Sequence, residues 1–369
     1  METKITITNQ TILITGVAGF IGAATAKALM TKYPDCHVIG IDNLNAYYTV
    51  KLKKARLAEL RRFTNFTMIK GDITNKRLIN RIFNHFNPMI VIHLAAQAGV
   101  TFSVTHPENY IHDNILGFFQ ILEACRYHQP AHLVYASSSS VYGDQNAVPY
   151  STDAKVDQPV SLYAATKASN ELMAKCYTHL YKLHATGLRF FTVYGPKGRP
   201  DMAYFKFTKQ ILAGKTIELW NNGENQRDFT YIDDIVEGIL RVMLLPPDEH
   251  RILNIGKGHP ETTIAMVSDL QAALQQAKLL PKDYNIQAHQ KLLPPQPADV
   301  LTTYADTSDL VALTGYSPQV KLRDGLQRFA DWYRDNSEMF TIKPKKNKQT
   351  ALIKTEEKNL QQRFKENKK

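Results

Sequence analysis

The sequence predicts an α/β fold: a doubly wound parallel sheet followed by a smaller C-terminal lobe. Three observations predict it. From residue 11 onward, short β-rich runs alternate with stretches whose apolar residues recur every three or four positions. The first run leads into a glycine turn and then a helix start. After Gly195 the rhythm breaks, with Gly195-Pro196, Gly198, Pro200 and Asn221-Asn222-Gly223 in quick succession.

The expected strands are Thr11–Thr15, His37–Asp42, Thr67–Asp72, Met89–Ala95, His132–Ser137 and Thr186–Phe191, with helical patterns between them such as Phe20–Lys32 and Leu162–Tyr181. Apolar strands separated by helices are the mark of a parallel sheet covered on both faces. Leu292-Leu293-Pro294-Pro295-Gln296-Pro297 reads as an extended loop, because proline lacks a donor and restricts the residue before it. The expected division is residues 1–195 for the sheet domain, 196–337 for the smaller lobe, and 338–369 for a basic tail without order of its own.

Composition excludes several classes. The chain of 369 residues is 44% apolar and 21% charged, an ordinary globular balance. Its apolar runs fall well short of the roughly 20 residues that a membrane span needs, and no secretory leader is expected at Met1–Gln10. Cys36, Cys125 and Cys176 form no pattern, which suggests reduced thiols in a cytoplasmic protein and no structural metal. The net charge of +11 is concentrated at the end: Lys343–Lys369 hold ten Lys/Arg and three Glu, leaving 35 basic and 31 acidic residues elsewhere. A solvated extension explains this better than a nucleic-acid surface.

The segment from Thr11 to Gly22 has the spacing GxxGxxG. Gly16 permits the tight turn, Gly19 lets backbone N–H groups approach a pyrophosphate, and Gly22 lets helix and strand pack closely. The next strand ends at Asp42, twenty residues beyond Gly22 and suited to an adenosine ribose diol. Asn43 and Leu44 follow, with no arginine for a 2′-phosphate, so the expected cofactor is NAD. Gly71-Asp72-Ile73, at the third strand end, would border the adenine.

Tyr163 and Lys167 form YxxxK on one helical face, where an ammonium can lower the tyrosine pKa. Tyr47 and Lys51 make the same pattern, but no hydroxyl-bearing strand end precedes them, and they read as a chance match. Upstream of Tyr163, the strand from His132 delivers Ser137-Ser138-Ser139-Ser140 to its carboxyl end, where ligands bind in such sheets. A serine beside the tyrosine can hold a reacting alcohol and relay its proton.

Together with Leu94-Ala95-Ala96-Gln97-Ala98-Gly99 and Arg227-Asp228-Phe229-Thr230-Tyr231-Ile232-Asp233-Asp234, these motifs resemble the extended short-chain dehydrogenase/reductase (NAD-dependent epimerase/dehydratase) family over residues 11–337. Within it the chain is most similar to UDP-glucuronate 4-epimerases, through Asp42–Tyr48, Ser161–Lys167, Arg189–Pro196 and Gly198–Ala203. The resemblance implies a Rossmann-like domain, a UDP-sugar substrate, a homodimer and a place in polysaccharide biosynthesis. It implies catalysis by Ser138, Tyr163 and Lys167. NAD would be held by Gly16, Gly19, Phe20, Ile21, Gly22, Asp42, Asn43, Asp72, Ile73, Leu94, Ala95 and Ala96, with Tyr163 and Lys167. Thr192, Ser139, Ser140 and Arg199 would surround the sugar, Arg199 taking its C6 carboxylate. Arg227 would take the diphosphate and Asp299 the uridine ribose.

Relatives that dehydrate carry an Asp-Glu pair where this chain has Ser139-Ser140, and decarboxylating relatives keep a Glu at Ser140. Without these carboxylates, plain epimerisation is the expectation, C4 of UDP-glucuronate first; a UDP-hexose or reaction at C5 is the alternative, and a non-enzymatic NAD-binding scaffold is disfavoured. A neutral sugar is expected to leave Arg199 unpaired. Thr101, Lys197 and Ala298 depart from the family pattern, which has an arginine, an aromatic and a glycine there.

Overall fold

A computed structural model describes residues 4–145, 147–295 and 300–340. The residues comprise β1 (Thr11–Thr15), α1 (Phe20–Lys32), β2 (His37–Asp42), α2 (Val50–Leu60), β3 (Phe66–Lys70), α3 (Lys76–Phe86), β4 (Ile90–His93), α4 (Val100–Thr105) and α5 (Pro107–Tyr110). A π-helical turn, Ile111–Leu116, leads into α6 (Gly117–His128), β5 (His132–Ser138), α7 (Leu162–Tyr181), β6 (Ala185–Phe190) and β7 (Thr192–Tyr194). There follow α8 (Ala203–Leu212), β8 (Ile217–Leu219), β9 (Gln226–Tyr231), α9 (Ile232–Val242), β10 (Arg251–Ile255), β11 (Pro260–Thr262), α10 (Thr263–Gln276), β12 (Gln290–Leu292), β13 (Thr302–Thr303), α11 (Ser308–Thr314) and α12 (Leu322–Asn336).

Among the described residues, seven strands form one sheet in the order β10-β6-β5-β4-β1-β2-β3, every pair parallel. Ile12, Leu13, Ile14, Val38, Ile39, Val91, Ile92, Leu133 and Val134 are fully covered, as strands flanked by helices on both faces must be. The order reverses between β1 and β4, and at that switch point a crevice opens beyond the carboxyl ends of the strands. After Gly195 the chain builds a smaller sheet in which β9 pairs with β7, β11 and β13, then returns β10 to the large sheet beside β6. Met1–Arg334 form one compact unit. A second unit begins at Asp335; its described part includes the 3₁₀ turn Ser337–Met339, and the rest of the expected tail lies outside the described residues.

Two strands, β3 and β4, end two residues earlier than the sequence suggests. Beyond His93 the Leu94 amide still reaches the Thr15 carbonyl at 3.2 Å, and it and the Ala95 amide both meet the Thr15 hydroxyl, at 3.2 and 3.1 Å. At the end of β3, Asp72 accepts from the Thr74 amide at 2.9 Å and turns the chain into α3. Side-chain oxygens at strand ends compete with the sheet for backbone donors. The structure of α7 is also instructive: Ser161 caps it, accepting from the Ala164 amide at 3.1 Å. Its inner face is Ala164, Lys167, Asn170, Glu171, Ala174 and Thr178, so a helix with many polar groups is buried against the sheet. Lys167 donates to the Ala136 carbonyl, Asn170 to the Asn114 carbonyl, and Glu171 receives Ser137 and Arg189, so these polar groups bond to the neighbouring elements.

Candidate active site

The crevice is a cleft of about 1390 Å3, part of it open to solvent, lined from Gly16 on one side to Arg199 and Met202 on the other. Gly16 has φ +70, and a Cβ there would stand 2.7 Å from the Ala95 nitrogen. Gly22 is as confined: its Cβ would collide with the Gly16 carbonyl oxygen. The turn therefore needs glycine at both places, and the bare backbone it leaves faces the cleft.

Asp42, at the end of β2, is buried, and its carboxylate ties the turn to the strand. Oδ2 accepts from the Ala18 amide at 3.0 Å and Oδ1 from the Leu44 amide at 2.8 Å. A carboxylate has about four acceptor positions, so two remain for a diol. Phe20, Ile21, Asn43, Ile73, Leu94, Ala95 and Ala96 also line the cleft. Asp72 does not: it accepts from Asn43 Nδ2 at 2.9 Å and from Thr74, and holds Asn43 from behind. Asn43 and Thr74 bonding keeps its carboxyl below the usual range against the opposing effect of burial. His112 and Asp113 come close to Asp72, within 4.8 Å among their ligand atoms, although far apart from it in sequence. The bare glycine turn, the residual capacity of Asp42 and the apolar wall of Ile73 and Leu94 fit a dinucleotide.

Ser138, Tyr163 and Lys167 converge on the same cleft. Lys167 is buried and donates to the Ala136 carbonyl at 2.8 Å. Burial lowers its pKa to about 8, and Glu171 pulls it partly back. Burial raises the Tyr163 phenol, opposed by its hydrogen bond with Ser138 and by the charge of Arg199. The Ser138 hydroxyl also accepts from the Ser140 amide at 3.2 Å, which fixes its direction. Tyr110 meets the Tyr163 ring edge-on, with centroids 5.9 Å apart. This arrangement can hold an alcohol and take its proton.

The remaining expected residues stand further out. Ser139 and Ser140 open a 3₁₀ turn (Ser139–Tyr142) directly after β5, half-buried and outside the cleft lining. Thr192 begins β7 opposite Phe229 of β9, two residues from Arg227, so the register sets Thr192 and Arg227 on the same face of the small sheet. Arg227 donates to the Gln226 and Leu301 carbonyls at 2.8 and 3.3 Å. Asp299 and Ala298 lie outside the described residues. Thr101 is exposed on α4, and Lys197 has φ +61 and pairs with Glu59.

Arg199 differs from expectation. It is already paired: Nε and Nη2 donate to Asp201 at 3.1 and 2.5 Å. Burial acts against the charge of Arg199, but Asp201 holds its pKa above the ordinary value. A neutral ligand would therefore not leave this arginine without a partner. Tyr47 also proves to be more than a chance match. It lines the cleft, donates to Asp201 Oδ2 at 3.1 Å, and its ring lies 5.7 Å from the Arg199 guanidinium. Its pairing is with Asp201, 154 positions away, and not with Lys51, which is exposed.

Sequence reasoning missed four further groups. Arg56 is buried and donates to the Ala18 carbonyl at 2.9 Å, the Tyr48 hydroxyl at 2.6 Å and the Lys197 carbonyl at 3.1 Å, joining the glycine turn to the loop that carries Arg199. Lys53 lines the cleft, buried, donating to Asn45 Oδ1 at 2.7 Å. A signal existed for both: Leu52, Lys53, Arg56, Leu57 and Leu60 make one helical stripe, and charges within an apolar stripe need buried partners. Asn114, inside the π-helical turn, donates to the Gln97 carbonyl at 3.1 Å and to Thr166 Oγ1 at 3.0 Å, and accepts from the Gln97 amide at 2.8 Å. Glu171 receives Arg189 through two bonds, at 3.0 and 2.8 Å, and Ser137 at 2.5 Å, beneath Lys167. Nothing in local spacing announces these last two.

Comparison with known proteins agrees with this geometry. The profile of the NAD dependent epimerase/dehydratase family matches residues 12–256. A probable UDP-glucuronate 4-epimerase of Rhizobium meliloti is 40% identical over 342 residues, 88% of this chain and 97% of that protein. UDP-glucuronate 4-epimerase 4 of Arabidopsis thaliana is 44% identical over 341 residues, 88% of this chain and 75% of that protein. The crystal structure of UDP-glucuronic acid 4-epimerase from Bacillus cereus, in complex with UDP-glucuronic acid and NAD, superposes with a TM-score of 0.79 at 32% identity, covering 88% of this chain and 99% of that one.

Proposed function

The chain belongs to the NAD dependent epimerase/dehydratase family, and from that premise we propose that it interconverts UDP-glucuronate and UDP-galacturonate. The single observation that carries the reading is the convergence of Ser138, Tyr163, Lys167 and Arg199 on one cleft beside the glycine turn.

Gly16, Gly19, Phe20, Ile21, Gly22, Asp42, Asn43, Ile73, Leu94, Ala95 and Ala96 hold NAD, with Asp72 steadying Asn43. When bound, NAD takes the hydride from C4 and returns it to the opposite face. Tyr163 removes the proton from the 4-hydroxyl and later restores it, while Ser138 bridges that oxygen. Lys167 lends positive charge to the phenolate and holds the nicotinamide ribose. Between the two transfers the oxidised sugar turns over in the cleft. Thr192, Ser139 and Ser140 surround the sugar, Arg227 takes the diphosphate and Asp299 the uridine ribose. Arg199 takes the C6 carboxylate with the N–H groups that Asp201 leaves open. The NAD-binding part is 1–195 and the UDP-sugar lobe 196–337. With serine at both 139 and 140, no carboxylate stands at the positions that dehydrating and decarboxylating relatives use, which disfavours elimination and, less strongly, decarboxylation.

The enzyme acts in the cytoplasm as a homodimer. Its contact surface is built from α6 and α7, which expose Phe119, Tyr127, Leu172 and Leu180, the last three more than half uncovered. Leu172→Glu should give a monomer in sedimentation. Among the described residues no helix is long and apolar enough to cross a membrane.

An NMR time course over UDP-glucuronate, UDP-galacturonate and UDP-glucose tests substrate and carbon together. The acids should equilibrate without release of carbon dioxide, and Arg199→Met should slow them far more than it slows UDP-glucose. Faster turnover of UDP-glucose by the wild type would overturn the uronate reading. A UDP-hexose 4-epimerase is the second reading, and one observation favours it: the Asp201 pair reduces the penalty of a neutral ligand beside Arg199.

A further inference from the structure

A guanidinium that grips the substrate carboxylate creates a difficulty for this reaction. After oxidation the sugar must present its other face to the same cofactor, so its carboxylate has to leave whatever holds it. An arginine with no other partner would resist that departure, because a covered charge left alone is unfavourable.

Arg199 has another partner. Asp201 takes one edge of the guanidinium, Nε and Nη2, through two bonds. A guanidinium carries five donors, so the second edge, both hydrogens of Nη1 and one of Nη2, remains. Arg199 lines the cleft, with the Tyr47 hydroxyl also beside its guanidinium. Tyr47 restrains Asp201 by donating to Oδ2 at 3.1 Å, and is itself fixed edge-on against Phe102 at 4.9 Å. Asp201 is thus held on its edge of the arginine whether or not the other edge is filled. The side chains of Arg199 and Asp201 are only 22% and 34% exposed, so their charges are felt more strongly than at a free surface.

We infer that Asp201, steadied by Tyr47, is the standing partner of Arg199: it keeps the arginine paired while the oxidised sugar turns over, and by repelling the substrate carboxylate it prevents the arginine from locking the sugar in one orientation. The inference rests on the reading that Arg199 receives the C6 carboxylate. Asp201 is a positioning residue in this account, acting through Arg199. Its charge makes uronate binding looser and turnover faster, the reverse of what a simple brace for the loop would do.

Asp201→Asn in the NAD-loaded enzyme is the test, since it keeps the shape and removes the charge. Calorimetry should show UDP-glucuronate bound roughly tenfold tighter, about one decade of affinity for one lost repulsion. The kcat on the acid should fall by a similar factor, and reduced nicotinamide should accumulate in single turnovers, visible in its near-ultraviolet absorbance. UDP-glucose, without a carboxylate, should show none of the three changes. Tyr47→Phe should move the same quantities in the same direction by less, and serves if the Asn variant folds poorly. Weaker binding of acid and neutral sugar alike, or loss of kcat without accumulation, would overturn the inference and leave Asp201 as a brace. Failure of the parent reading looks different: Arg199→Met would then slow acid and neutral sugars equally.

Discussion

The two halves of the cleft are made from different materials. The cofactor half is mostly backbone: the Gly16–Gly22 turn, the ends of β1 and β4, and one carboxylate, Asp42, whose bonds go to main-chain amides. The opposite half is mostly polar and charged side chains from separate segments, including Tyr47, Lys53, Tyr163 and Arg199 with its partner Asp201. Backbone held by a buried sheet is rigid and presents one arrangement. Side chains in partly covered ion pairs can exchange partners at small cost, because solvent and neighbouring charges share the load. The division suits a reaction in which the cofactor stays fixed and the sugar must turn over.

The largest expected effect tests whether chemistry sits where the halves meet. Tyr163→Phe should lower turnover by roughly 10²-fold or more while UDP-sugar binding survives, because only the acid/base group is lost. Measured kcat and calorimetric affinity separate the two. A loss of equal size in Tyr47→Phe would move the chemistry away from that junction and break the comparison.

Arg56 is buried and bonds to the glycine turn at Ala18 and to the loop before Arg199 at Lys197. Arg56→Met should weaken NAD and UDP-sugar together by roughly one to two orders of magnitude, as for losing charge-assisted bonds to backbone. If only one affinity changes, the halves are mechanically independent.

Asp42→Ala should weaken NAD about tenfold, the scale of one charge-assisted hydrogen bond, and barely touch NADP or UDP-sugar. NAD and NADP titrations on stripped enzyme give this directly. Tighter NADP than NAD binding by the wild type would contradict the assignment.

The smallest effect concerns pH. Lys167 titrates at about 8 in the folded chain against an ordinary 10.5. Below pH 8 both states hold the proton, and the folded state bears the burden of a buried ammonium. Between 8 and 10.5 the unfolded chain binds more protons, so stability rises with pH through that window. Lys167→Met lacks the burden. Its advantage in melting temperature over cofactor-free wild type should be full below pH 8 and shrink toward pH 10.5. A constant gap would mean that the ammonium is well solvated.

The contrast between the halves also decides what could be read in advance. The turn, Asp42, and the Ser138, Tyr163 and Lys167 set were legible because each depends on a strand end or a helical face, features fixed by residues a few positions apart. The parallel sheet followed from the same periodicity, with the largest shifts at the ends of β3 and β4, beside Asp72 and Thr15. The sequence by itself therefore determined the fold class, the glycine turn and the convergence of Ser138, Tyr163 and Lys167 on one cleft. Only the tertiary structure decided that Tyr47 faces Asp201, that Arg199 is already paired, that Arg56 ties the glycine turn to the Lys197 loop and that Asn114 ties Gln97 to Thr166. Apart from Arg199 and Asp201, which stand two positions apart, those pairings join residues distant in the chain, and no local period encodes which group meets which. They are set when the packed sheet and helices bring covered polar groups together and leave each one requiring a partner.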